Sequence, residues 1–161
     1  MVCYKHYATD PIRGPTTTVR WRDQPLNRPE QTLVGIQYGS YPVDASYVVL
    51  NASSWIYTGS GLSNGDSIPH LVGVEYDKLF DTHPMPPHLG YRLVSRSPVV
   101  SKGRSDYANS SSYEAPSHAR VFATGTFLWN WMLDDYGDGG IDPRFQRVSK
   151  NVLDRFIALR S

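Results

Sequence analysis

The sequence predicts an α/β domain, rich in strands and closed by one long C-terminal helix. Two observations predict it. β-Branched and aromatic residues gather in short runs at 2–5, 33–38, 47–50, 71–76, 91–95 and 120–124, with turn-forming residues between them. From Asp142 to the end, apolar residues recur instead at the three- and four-residue spacing of a helix face. A chain of 161 residues suits one domain with a core of useful size. A lone helix covers only part of one face of such a sheet, so loops or further protein would have to cover the rest.

The elements follow in order. "MVCYK" places strand-prone residues directly behind Met1, which predicts a strand that begins early or a chain that starts inside a fold, with Cys3 as a buried, inert thiol. Residues 9–31 hold four prolines and read as a loop with one extended piece at "TTTVRWR". "TLVGIQYGSY" reads as a strand bent at Gly35 and Gly39, and 47–50 as a strand covered on both faces. "SSWIYTGSGLSNGD" is a Gly- and Ser-rich loop with an aromatic pair, Trp55 and Tyr57.

"LVGVEYD", at 71–77, begins as a buried strand and ends in two carboxylates. Glu75 and Asp77 share a face of a regular strand, with Cα atoms about 6.6 Å apart. Paired carboxylates at the C-terminal edge of a sheet are where open α/β folds place their sites; they are also the ordinary polar end of a strand.

Asp81, His83 and His88 surround a Pro-rich turn in no standard metal spacing, and each lone His reads as structural or exposed. "YRLVSRSPVV" alternates as a half-exposed strand does, whereas "SKGRSDYANSSSYEAPS" reads as an exposed hairpin or mobile loop. In "ARVFATGTFLWNWML" a strand over 120–124 turns at Gly125. Phe127, Trp129 and Trp131 then fall on one strand face, as core aromatics or as the wall of a pocket for a small apolar ligand. "DDYGDGG" has the composition of a calcium loop without its ligand spacing and reads as a solvated turn. Asp142 suits an N-cap and Pro143 the first helical position, ahead of Phe145, Val148, Val152, Phe156 and Leu159 on one face.

Sixteen basic against fifteen acidic side chains give no electrostatic case for nucleic acid or an anionic membrane as partner. No apolar run approaches the roughly 20 residues of a spanning helix, and no signal peptide is evident, so a soluble, cytoplasmic protein is expected. The single cysteine excludes an internal disulfide. "GSG" at 59–61 is neither a nucleophile elbow nor a phosphate loop.

Taken together, "WIYTGSGLSNGDSIPHLVGVEYD", "ARVFATGTFLWNWML" and "DPRFQRVSKNVLDRF" resemble, in order and spacing, the C-terminal domain of the large (β) subunit of N,N-dimethylformamidase and its relatives. "MVCYK" and "PLNRPE" are similar to that family too, so the resemblance covers nearly the whole chain. It implies a sandwich similar to class I glutamine amidotransferases, of which residues 1–161 would be a single, partial C-terminal domain. In the characterised member such a domain serves the hydrolysis of a formamide to formate and an amine.

That enzyme holds one iron ion through two Tyr and one Glu, the Glu lying in an "HxEYW"-like motif that is absent here. The resemblance thus implies no cofactor and no metal ligand in this chain, the iron belonging to the complete enzyme. Glu75 is the position it carries over, as a pocket carboxylate outside the ligand set that orients ligands or moves a proton. Trp55 and Trp129 carry over as pocket walls, and Asp77 matches a family position without an assigned role.

Two readings stand. In one, the chain is part of an amide-hydrolase-like enzyme, inactive alone, whose partner is an upstream part of the same domain and whose small amide substrate binds only the complete protein. Apolar surface would then be exposed. In the other it is a non-catalytic binding or structural module. A homo-oligomer is compatible with both.

Overall fold

A computed structural model of the chain describes residues 3–135 and 140–158. A single helical turn, α1 (Gln31–Val34), precedes two long strands, β1 (Gln37–Val48) and β2 (Ser67–Lys78). Then come β3 (Leu89–Leu93), the hairpin β4 (Ser97–Ser101) and β5 (Arg104–Ala108), β6 (Ser111–Glu114), β7 (Arg120–Ala123) and the C-terminal helix α2 (Pro143–Ile157). Strand-rich content closed by a helix is as the sequence predicts. Every strand pairing among the described residues is antiparallel.

β1 and β2 form a long ribbon running from Gln37 opposite Lys78 to Val48 opposite Ser67, with its register shifted at three places. Beside it, β6 lies between β3 and β7 in a three-stranded sheet. The junction is tight: Val49 bridges Ser95 and Tyr76 bridges Thr126.

Several segments depart from the sequence reading. The strand expected at 2–5 is absent over Cys3–Lys5, where the chain is irregular and Cys3 is exposed; Val2 lies outside the described residues. Where a strand was expected over 33–38, α1 runs to Val34 and Gly35 caps it at φ +85°, so β1 starts only at Gln37. Gln31 explains the turn. Its amide donates to the carbonyls of Phe80 and His83 and accepts from the Phe80 N–H, which locks the loop after β2 through a fully buried side chain.

"SKGRSDYANSSSYEAPS" is a largely exposed hairpin over 101–108, as expected, followed by a strand whose serines are interior. Ser95, Ser110, Ser111 and Ser112 are buried. Ser110 N–H donates to Ser95 Oγ at 2.7 Å, and Ser111 Oγ donates to the Val34 carbonyl at 3.2 Å, so small hydroxyls satisfy one another where strands cross.

"FLWNWM" is a 3-10 helix (Phe127–Met132) rather than a strand, started by Thr126, whose hydroxyl accepts from the Leu128 N–H. Three residues per turn bury Trp129 and Met132 and expose Phe127 and Trp131, so the three aromatics do not share a face. Trp129 packs on Phe145 with centroids 4.2 Å apart, and Tyr47 meets both rings edge-on. This cluster seats α2. Its Phe145, Val148 and Val152 are buried, and Asp142 caps it by accepting from the N–H groups of Arg144 and Phe145. Residues 136–139 of the expected acidic turn, and Leu159, lie outside the described residues.

Candidate functional site

Glu75 and Asp77 lie among the last residues of β2, still within its ribbon with β1, on the strand face shared by Leu71 and Gly73. The segment after β7 crosses that face. The Asp77 N–H donates to the Gly125 carbonyl at 2.9 Å, and the Asp77 carbonyl accepts from the Asn109 N–H at 2.9 Å. Further up the strand, Thr126 Oγ1 accepts from the Gly73 N–H at 3.1 Å and lies 2.8 Å from the Leu71 carbonyl. Gly73 allows this approach, since a Cβ there would stand 2.6 Å from Leu128 Cδ1.

The result is a cleft of about 190 Å³ lined by Glu75, Asp77, Thr124, Gly125, Thr126 and Phe127. Glu75 also borders a second cleft of about 360 Å³ with Lys5, Arg20, Arg22, Tyr38 and Tyr41. The carboxylate pair read from period-two spacing is therefore brought together at one cleft. What the sequence did not reveal is the basic and phenolic side of Glu75, which comes from residues far away in the chain.

Burial pushes the Asp77 carboxyl up to about 6, with the charges of Glu75 and then Glu30 adding to the effect and Arg22 opposing it. Burial, and secondarily Glu75, raises the Tyr38 phenol, so it stays protonated at neutral pH. Arg22 is held by Glu30 at 2.7 Å and Arg20 by Asp23 at 2.7 Å, which fixes both cations beside the second cleft. A carboxyl that titrates near neutrality beside an ionised one can hold or release a proton where its neighbour supplies charge.

The other residues read from the sequence do not join this cleft. Trp55 is half-buried in a 3-10 turn (Trp55–Tyr57) and faces a separate cleft over the three-stranded sheet. Trp129 is buried in the aromatic cluster, with Nε1 donating to Ser149 Oγ at 3.0 Å, and packs against α2. The His83 ring lies tilted against Phe80 and the His88 ring tilted against Tyr91, and no three His, Cys, Asp or Glu side chains among the described residues are grouped to hold a metal ion. No helix among the described residues is long and apolar enough to cross a membrane.

No curated protein matches the chain. The sequence model of the family described as "N,N-dimethylformamidase beta subunit-like, C-terminal" matches residues 1–142, a span that holds both clefts beside Glu75 and ends at the N-cap of α2. The chain, with its carboxylate-bearing strand and crossing glycine turn inside that span, belongs to the N,N-dimethylformamidase beta subunit-like C-terminal family.

Proposed function

We propose that this domain is the C-terminal part of an amidotransferase-like sandwich and supplies one wall of the pocket in an amide-hydrolase-like protein, the chain alone being inactive. The observation that carries the reading is the joint placement of Glu75 and Asp77 in one cleft with Asp77 pushed up to about 6. Hydrolysis of a small amide forms a C–O bond from water and breaks the C–N bond, and the departing amine must take up a proton. Asp77 can hold that proton, and Glu75 can orient the water or the amide N–H.

The family's iron has no home among these groups. Tyr38, Tyr41 and Glu75 border one cleft, but Lys5, Arg20 and Arg22 line it as well, and the raised Tyr38 phenol opposes the phenolate that a cation would need. No step through iron is therefore assigned to this chain.

Exposed apolar surface supports an incomplete domain. Phe127 borders the Glu75 cleft while 66% exposed, and Leu153 and Ile157, four residues apart on α2, are 62% and 66% exposed. The alternative, a binding module that works without hydrolysis, is favoured only by the core that the chain closes by itself around Tyr47, Trp129 and Phe145.

The test has two parts. Purified chain given N,N-dimethylformamide should release no dimethylamine and retain no stoichiometric iron; turnover with bound iron would overturn the reading. The genomic region before Met1 should contain an in-frame "HxEYW"-like segment, and a promoter with a stop codon there would favour the module.

A further inference from the structure

A third cleft, the one that Trp55 faces, shares no lining residue with the two clefts at Glu75. Its floor is the three-stranded sheet, where Ser112 stands opposite Arg92 of β3, and Glu114 stands opposite both Leu89 and Arg120. Its walls are Trp55 and the last turns of α2, and it encloses about 240 Å³. Three arginines, Arg92, Arg120 and Arg155, line it together with one carboxylate residue, Glu114.

That carboxylate is already engaged, 2.5 Å from His118 Nδ1. None of the three arginines forms an ion pair among the described residues, which is also true of Arg28, Arg104 and Arg147; what sets these three apart is that they line one cleft. Arg120 donates to the Arg155 backbone carbonyl at 2.5 Å, which fixes the end of α2 over the sheet and sets the spacing of the two side chains. Three positive side chains outnumber the one carboxylate of this cleft, and an anion bound there would reduce the excess charge.

We propose that this cleft binds a small carboxylate with a flat apolar body. The guanidinium forks of Arg92 and Arg155 match the two oxygens of a carboxylate. Trp55, Leu89 and the Tyr113 ring offer the body a surface that a bare oxyanion would leave unused. The volume is below that of pockets for drug-sized molecules, which limits the ligand to about the size of a single ring.

Calorimetric titration of the purified chain with benzoate, acetate and inorganic phosphate tests this. Benzoate should bind saturably at one site, with acetate at least about 10-fold weaker, and Arg92→Gln and Arg155→Gln should each weaken benzoate by about 10-fold. Lys150→Gln, which removes one positive charge from the same helix outside the cleft, should leave affinity unchanged. Should Arg92→Gln fail to fold, Arg155→Gln, at the exposed end of α2, carries the comparison. Absence of saturable benzoate binding overturns the proposal, as does phosphate binding more tightly than benzoate or an equal loss in Lys150→Gln.

Discussion

Asp77 donates its backbone N–H to the carbonyl of Gly125 at 2.9 Å, and this bond ties the carboxylate strand to the turn that roofs its cleft. The turn can make that approach only as glycine. Gly125 has φ +70°, and a Cβ on it would stand 1.9 Å from the Asn109 carbonyl oxygen, which is itself backbone and cannot swing away.

Gly125→Ala should therefore destabilise the fold by at least about 2 kcal/mol, combining left-handed backbone strain with a main-chain clash. Gly103 provides the control, with φ +73° and nothing within 4 Å of a Cβ. Gly103→Ala should cost only about 1 kcal/mol, the conformational part alone. Urea denaturation of the two variants separates strain from collision.

The raised Asp77 carboxyl makes stability depend on pH. Its folded-state value of about 6 lies above the ordinary 3.8, so between the two the folded chain binds more protons than the unfolded one and stability falls as pH rises. The loss should begin near pH 4, be complete just above pH 6 and amount at most to about 3 kcal/mol. Asp77→Asn should remove this slope and be the more stable protein at pH 7. Denaturation midpoints of the two proteins across pH 4 to 8 give the comparison, because the oppositely shifted Asp106 and Asp142 contribute equally to both.

Glu75→Gln tests the causes of that shift in their order. Burial is the largest cause and the Glu75 charge the next, so removing the charge should bring the Asp77 titration down without returning it to the ordinary range. A carbon-detected NMR titration of the Asp77 carboxyl reads this directly. A full return would mean that the neighbouring charge, rather than burial, holds the proton.

The pairing of Glu75 and Asp77 was legible because strand periodicity is local and a seven-residue stretch suffices to show it. The raised titration of Asp77 was not, since it comes first from burial in the folded chain, where the turn at Gly125 lines the same cleft, and only then from charges that include distant Glu30. The same limit explains the misread aromatics. "FLWNWM" alternates like a strand, but Thr126 caps it and Gly73 leaves room for Leu128, so it coils into a 3-10 helix over β2. In "NSSSY" polar composition suggested exposure, whereas the hydroxyls bond to one another and to distant carbonyls. Hydropathy has no term for a partner elsewhere in the chain.

The apolar spacing of α2, by contrast, converts directly into a stability prediction. Phe145 is 0% exposed and meets Trp129 at 4.2 Å and Tyr47 at 5.5 Å between ring centroids. Phe145→Ala removes the ring that joins the helix to β1 and to the 3-10 helix, and the neighbouring rings are too rigid to fill the space. The cost should be about 3 to 5 kcal/mol. Leu153, on the same helix but 62% exposed, should cost under about 0.5 kcal/mol on truncation to Ala. If urea denaturation gave the two variants similar losses, α2 would be held by its outer face, and the aromatic cluster would not be its seat.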